Sequence, residues 1–236
     1  MNDRKRLSIQ MGKLETALGI LYFPFFLTLT AFLLTLLFEK MGWPLETAQD
    51  LARLNGLYFL VNFLAVVLIF HRFLWKSLLQ AGSRFWGFVQ AVILGMVLYY
   101  AGTYLVNYLI LLIEPNLRNV NDASIQTMAQ ASPGIMLVGS VFLVPLAEEC
   151  MVRGLLFGNL YRRSRLGAYG IATLLFCAIH VWGYIGAFPP QTLALCALQY
   201  VPAGIALGWA YEKADTIFAP VLMHCAINAI SFGVLT

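Results

Sequence analysis

The sequence predicts an all-α fold, a polytopic transmembrane helical bundle of about seven spans, or eight, and three observations carry that expectation. Of 236 residues, 61% are hydrophobic and only 11% are charged, against roughly 45–50% apolar and 25% charged in a soluble domain. Apolar runs of about 20 residues, the length that crosses a bilayer as a helix, recur from one end to the other. No polar block between them is long enough to fold separately. The chain therefore reads as one integral membrane domain over 1–236, with N-terminal helices of unassigned role over 1–133 and a motif-bearing core over 134–236.

Taken in order, the spans fall near 17–38, 56–71, 86–113, 134–157, 167–188, 191–211 and 216–235. The leading segment MNDRKRLSIQMGKLE is polar, and the apolar run after it is too long for a signal core and has no small-residue cleavage site. The first span is expected to stay in the mature protein. The second span is short, and its flanks, 42–55 and 71–83, mix apolar and polar positions as interfacial amphipathic helices do. The third is long enough to tilt or to break near Gly102. The longest polar loop, 114–133, shows no catalytic or low-complexity pattern.

The formal charge is +4, and its placement follows the membrane rather than a nucleic-acid patch, so no nucleic-acid partner is expected. With the N-terminus in the cytoplasm, Arg4, Lys5, Arg6, Lys13, Arg72, Lys76, Arg84, Arg162, Arg163, Arg165 and Lys213 lie inside, against Lys40, Arg53 and Arg118 outside. The positive-inside rule favours that orientation, and seven spans would then put the C-terminus outside. The compact loops suit a bacterial cell membrane. Cys150, Cys177, Cys196 and Cys225 all sit in apolar segments without a C-x-x-C pair. They read as small buried residues rather than as disulfide or zinc-cysteine partners.

The informative residues are the polar ones that lipid rejects, since an ionisable side chain at mid-bilayer costs several kcal/mol and is retained mostly for function. LVPLAEECMVRGLLFG holds Glu148, Glu149 and Arg153; LLFCAIH holds Phe176 and His180; PVLMHCAINAI holds His224 and Asn228. Glu149 and Arg153 are i and i+4 and share a helix face, so they are expected to pair, whereas Glu148 is rotated by about 100° toward a different neighbour. His224 and Asn228 share a face in the same way. Counting from the polar segments, Glu148, His180 and His224 all lie roughly 14 to 21 Å from the cytoplasmic side at about 1.5 Å per residue. One buried polar chamber is expected to hold them all.

Each residue also has a bland reading. A lone intramembrane His is more often a packed, hydrogen-bonded residue than a catalyst, and an i,i+4 Glu–Arg pair is more often structural. Gly204 and Gly208 form a small-xxx-small pair suited to helix packing, and Trp182, Tyr184 and Trp209 suit interfacial anchoring. The coincidence of two acids, one Arg, two His and one Asn at similar depth in three spans argues for a site.

These motifs, Glu148-Glu149-CMV-Arg153, Phe176-CAI-His180 and His224-CAI-Asn228, stand in the order E-E-x-x-x-R, F-x-x-x-H, H-x-x-x-N. In that order they resemble the CAAX-protease and bacteriocin-processing family of intramembrane glutamic endopeptidases, which includes the Ras-converting-enzyme type of CAAX prenyl protease. The resemblance covers about 134–236. It implies an integral membrane endopeptidase in which Glu148, assisted by His180, activates a water, His224 and Asn228 stabilise the oxyanion, and Glu149 and Arg153 hold the site. It implies a hydrophobic peptide or membrane-protein segment as substrate and no cofactor.

A zinc version would use Glu148, His180 and His224 as a His₂Glu set, although the H-E-x-x-H signature is absent. The competing class is a non-catalytic bacteriocin-immunity or transporter-type protein that uses the same buried chamber for binding or proton relay.

Overall fold

In the computed structural model, which describes residues 7–235, the chain is a bundle of helices. Arg4, Lys5 and Arg6, counted above to the inner side, lie outside the described residues. Among the described residues, six helices are long and apolar enough to cross a membrane: α1 (Lys13–Lys40), α2 (Ala48–Ile69), α4 (Phe85–Ile113), α6 (Pro133–Tyr161), α7 (Arg165–Tyr184) and α8 (Pro190–Ala214). Two shorter helices, α3 (His71–Ser83) and α5 (Val120–Ala131), join them, and α9 (Phe218–Leu235) closes the bundle. The apolar part of α9, Phe218–Gly233, is roughly 24 Å long at about 1.5 Å per residue. It occupies the seventh predicted span but is shorter than a full hydrocarbon core of ~30 Å.

Capping chemistry decides where several helices begin. Thr47 and Asp50 form a reciprocal capping box, the Asp50 amide donating to Thr47 Oγ1 (3.2 Å) and the Thr47 amide to Asp50 Oδ2 (3.1 Å). That cap starts α2 at Ala48 and runs it straight into the span. The expected separate interfacial helix over 42–55 is therefore corrected: 48–55 is the first part of a membrane helix. The other flank does form its own helix. In α3, Phe73, Ser77 and Ala81 are buried while Arg72, Trp75, Lys76, Leu78 and Leu79 are exposed. Glu15, at the start of α1, ties that helix down by accepting from the amides of Gly12 and Phe73, both at 2.8 Å.

The expected break near Gly102 is absent, for α4 is continuous from Phe85 to Ile113. Gly102 instead allows a close approach, since a Cβ there would stand 3.0 Å from Pro202 Cβ of α8. The loop over 114–133 is also corrected. Most of it is α5, capped by Asn119, whose side chain accepts from the Asn121 and Asp122 amides.

About half of the apolar stretch in each of α6 and α8 is buried, so these two helices are the centre of the bundle. Their Phe157 and Leu207 share one core with Phe70, Phe73, Phe176 and Ile217 from the surrounding segments. By contrast α4 has only Ala91, Gly95 and Ile110 buried, and presents Ile93, Leu94, Val97, Leu105 and Leu112 outward. Such a face suits lipid, the solvent in which an unbroken apolar surface costs nothing.

The small-xxx-small pair on α8 performs the packing expected of it. A Cβ at Gly204 would lie 2.6 Å from Thr173 Cγ2 on α7, and one at Gly208 would lie 3.3 Å from Phe157 and Tyr169 ring atoms. Thr173 is β-branched and cannot easily turn away. Gly204→Ala is expected to cost about 1–3 kcal/mol through overpacking, read as a lower thermal unfolding midpoint in detergent, with Gly170→Ala, which meets nothing within 4 Å, as the neutral control.

Candidate active site

On α6 the polar run occurs where the helix changes winding: Leu137–Leu143 is π-helical, Val144–Glu149 α-helical and Cys150–Phe157 π-helical again. Such widened turns are rare and frequent at functional sites. Glu149 and Arg153 are both fully buried, and Arg153 Nη1 donates to Glu149 Oε1 at 2.8 Å. The guanidinium also donates through Nη2 to the Gly204 carbonyl oxygen at 3.3 Å and lies 4.3 Å above the Phe176 ring. A buried charge is tolerated when it is paired and hydrogen-bonded. Here three helices supply the partners.

The Glu149 carboxylate has a second partner. His224 Nδ1 stands 2.9 Å from Glu149 Oε1. With that oxygen also accepting from Arg153, the histidine donates through Nδ1–H, which leaves Nε2 directed elsewhere. His224 Nε2 lies 3.9 Å from Glu148 Oε2. The expectation that Glu148 turns to a different neighbour from Glu149 thus needs amendment, because one histidine reaches both acids from α9. Glu148 Oε2 is buried and makes no hydrogen bond, a condition it shares with Glu149 Oε2, but of the two acids only Glu148 lines a cavity, where an unpartnered oxygen is available to a water or a reactant.

His180, near the end of α7, donates from Nδ1 to the Phe176 carbonyl oxygen at 2.7 Å, so its Nε2 carries the lone pair. Its ring stacks on Tyr200, centroid to centroid 4.1 Å at 27°. Phe176, the aromatic of F-x-x-x-H, packs against His180 (4.6 Å) and His224 (5.7 Å) while also carrying the Arg153 guanidinium. Asn228, one turn beyond His224, donates from Nδ2 to the Ser140 carbonyl oxygen at 2.8 Å and so fastens α9 to the Leu137–Leu143 turn of α6.

Glu148, His180, His224 and Asn228 all line one cavity of about 860 Å³. Glu149 and Arg153 stand behind it as support. The rest of the wall is mostly apolar and aromatic, with Thr28, Asn55, Asn121, Asp122, Ser124, Ser140 and Ser231 as its further polar side chains, the usual make-up of a binding site with a few placed polar groups. Among the described residues, no three His, Cys, Asp or Glu side chains are grouped so as to hold a metal ion. The Nδ1 atoms of His180 and His224 are both engaged, which leaves their Nε2 atoms as the imidazole donors facing a ligand. The four cysteines are free thiols; Cys150, Cys177 and Cys196 are buried and Cys225 is half-buried.

Sequence reasoning missed part of the wall. Asn121, Asp122 and Ser124 of α5 line the cavity, as do Trp182 and Tyr184, which were expected only to anchor the interface. Trp209 does sit apart from the cavity, 5.8 Å below Lys213 Nζ. Tyr200 was missed as well. Its hydroxyl donates to Asp122 Oδ1 (2.9 Å) and accepts from Asn121 Nδ2 (3.2 Å) while its ring holds His180. Nothing in the local pattern links positions 180 and 200; only the fold stacks them. Tyr200→Ala is expected to lower turnover about tenfold by freeing the His180 ring, a loss of about 1.4 kcal/mol, while Tyr200→Phe keeps the stack and most of the rate. Steady-state kinetics on the two variants checks this.

Residues 130–230, which contain all seven motif residues, match the family model described as type II CAAX prenyl endopeptidase Rce1-like. Comparison with curated proteins and with solved structures gives no match. The matched stretch runs from the end of α5 through α9 and includes every helix that supplies a motif side chain. On that match, and on the three ordered polar motifs that the fold gathers around one buried cavity, the 130–230 region of this chain is similar to the type II CAAX prenyl endopeptidase Rce1-like family.

Proposed function

We propose that the protein hydrolyses a peptide bond in a hydrophobic or membrane-associated polypeptide, with Glu148 as the general base that activates a water. The observation that carries this reading is Glu148 Oε2, a buried carboxylate oxygen without a hydrogen-bond partner, on the wall of the cavity that also receives His180, His224 and Asn228. A water bound between Glu148 and His180 Nε2 gives up one proton to the carboxylate as its oxygen attacks the scissile carbonyl carbon. The carbonyl oxygen becomes the oxyanion of a tetrahedral intermediate. The remaining amide N–H of Asn228 donates to that oxygen, and His224 Nε2 does so in the imidazolium form, with Glu149 as its counter-ion. Pre-placed donors in a dry site are worth several kcal/mol. Collapse breaks the C–N bond, and the proton held by Glu148 passes to the departing amine.

Arg153 touches no reacting atom in this scheme. It is a positioning residue, because it holds the Glu149 carboxylate on which His224 is fixed.

The test is cleavage of a quenched fluorescent library of apolar peptides by the detergent-purified protein, with and without a strong chelator. The glutamate mechanism predicts turnover that survives chelation and prior metal stripping. Turnover abolished by chelation and restored by zinc would assign Glu148, His180 and His224 to a metal instead. Peptide binding with no cleavage under any of these conditions would favour the immunity or transport class.

A further inference from the structure

From the placement of the cavity within the bundle we infer that its mouth faces the non-cytoplasmic side of the membrane, and that it takes an apolar, neutral or cationic segment flanking a membrane anchor on that side. The identification of this segment as a substrate rests on the endopeptidase reading; the sidedness of the mouth does not.

Three separate parts of the chain meet at one end of the bundle. Asp215, in a left-handed conformation (φ 56°) that stops α8, accepts hydrogen bonds from the Ser8 amide (2.7 Å), the Ser8 hydroxyl and Gln80 Nε2 (3.2 Å). Arg84 Nη1 lies 3.7 Å from the same carboxylate, and Arg165 pairs with Glu212 at 3.1 Å. The turns at this end carry Lys13, Arg72, Lys76, Arg84, Arg162, Arg163, Arg165 and Lys213. The opposite end carries Lys40, Arg53 and Arg118, with Arg53 already 3.5 Å from Asp50. Eight against three in short loops is the asymmetry that the positive-inside rule reads as cytoplasmic for the basic end.

The cavity lies in the other half. Helices α7 and α9 leave the basic end at Arg165 and Phe218, yet they contribute to the wall only from Leu175 and His224 onward. Helix α2 approaches the basic end at Ile69 and contributes only Leu51 to Phe59, at its far end. The rim is α5, the connection between the outer ends of α4 and α6. Glu148 is therefore the floor of a chamber that opens away from the basic loops.

The wall also selects charge. No Lys or Arg lines the cavity among the described residues, and its two acids are Asp122 at the rim and Glu148 at the floor. A segment bearing a free carboxylate would meet Asp122 at the rim with no Lys or Arg beside it, whereas an apolar stretch with a Lys or Arg near the rim would meet Asp122 as a counter-charge. The field of like and unlike charge around a narrow mouth decides which segments enter.

The test uses the full chain in spheroplasts of a bacterial host, with Ser124→Cys at the rim and Ser83→Cys at the basic end, each beside the unsubstituted chain as the control for its own cysteines. A membrane-impermeant maleimide is applied before and after detergent, the second giving total reactive thiol. The expected result is Ser124→Cys labelled from outside and Ser83→Cys labelled only after detergent. The reverse pattern, equal labelling of both from outside, or labelling of neither until detergent is added would overturn the sidedness.

A fluorogenic apolar peptide carrying one Lys and an acyl anchor, added to the outer leaflet of the same spheroplasts, tests the rest. Cleavage by intact spheroplasts, faster than for the same peptide with Glu in place of Lys, is expected. Cleavage only after permeabilisation would overturn the sidedness and leave the protease reading intact. If Ser124→Cys is labelled from outside and neither peptide is cleaved in any condition, the protease reading fails and the outward mouth stands.

Discussion

Arg153→Met is expected to destabilise the protein by about 3–5 kcal/mol, the cost typical of removing one partner from a buried ion pair. The reason is local and severe. Arg153 and Glu149 have no solvent exposure, and the guanidinium binds the carboxylate, the Gly204 carbonyl and the Phe176 ring at once. Without it, Glu149 is a buried charge with only His224 to answer it. Thermal unfolding in detergent should show a fall of roughly 10 °C, taking ~2–4 °C per kcal/mol for a chain of this size. The double variant Arg153→Met with Glu149→Gln should recover part of that loss, because no uncompensated charge remains, and with the Glu149→Gln single variant it completes the cycle that gives the coupling. A double variant no more stable than Arg153→Met alone would mean that the pair is not what holds α6, α7 and α8 together.

Glu148→Gln is expected to lower turnover by about 10³-fold or more, within the range ascribed to a positioned general base, while leaving unfolding temperature and peptide binding near those of the unsubstituted protein. The amide is nearly isosteric with the carboxylate but cannot take a proton from water. Glu148 Oε2 has no hydrogen bond to lose, and its one charged neighbour, His224 Nε2, stands 3.9 Å away. Glu149→Gln supplies the contrast. That change weakens a charge-assisted bond to Arg153 and one to His224, so stability should fall along with rate. Neighbouring carboxylates with such different responses would separate the reacting group from the group that holds it.

The difference between these two acids was only partly legible in the sequence. The i,i+4 spacing of Glu149 and Arg153 foretold their pairing because helix periodicity fixes it within one helix. The shared face of His224 and Asn228 followed from the same rule, and both do line the cavity. What spacing does not encode is which helices become neighbours. His224 contacts Glu149 across 75 residues of sequence, and Tyr200 stacks on His180 through a turn whose geometry no local pattern announces.

The rim was hidden for another reason. The segment over 114–133 is too polar to read as a span, so hydropathy leaves it as a loop, yet its Asn119 cap makes it a helix over the cavity. The π-helical turn at Cys150–Phe157 likewise departs from the 3.6-residue period on which face assignments rest. At the start of α2, mixed polarity suggested an interfacial helix, and the Thr47–Asp50 cap instead set a membrane helix running.

The central claim, that Glu148 is the base of a hydrolytic site, is tested most directly by incubating an apolar peptide library with the purified protein and with its Glu148→Gln variant and identifying new termini by mass spectrometry. The account predicts defined internal cleavages with the unsubstituted protein and none above background with the variant, although both bind the peptides equally. Cleavage at the same bonds and at a similar rate by both proteins would contradict it.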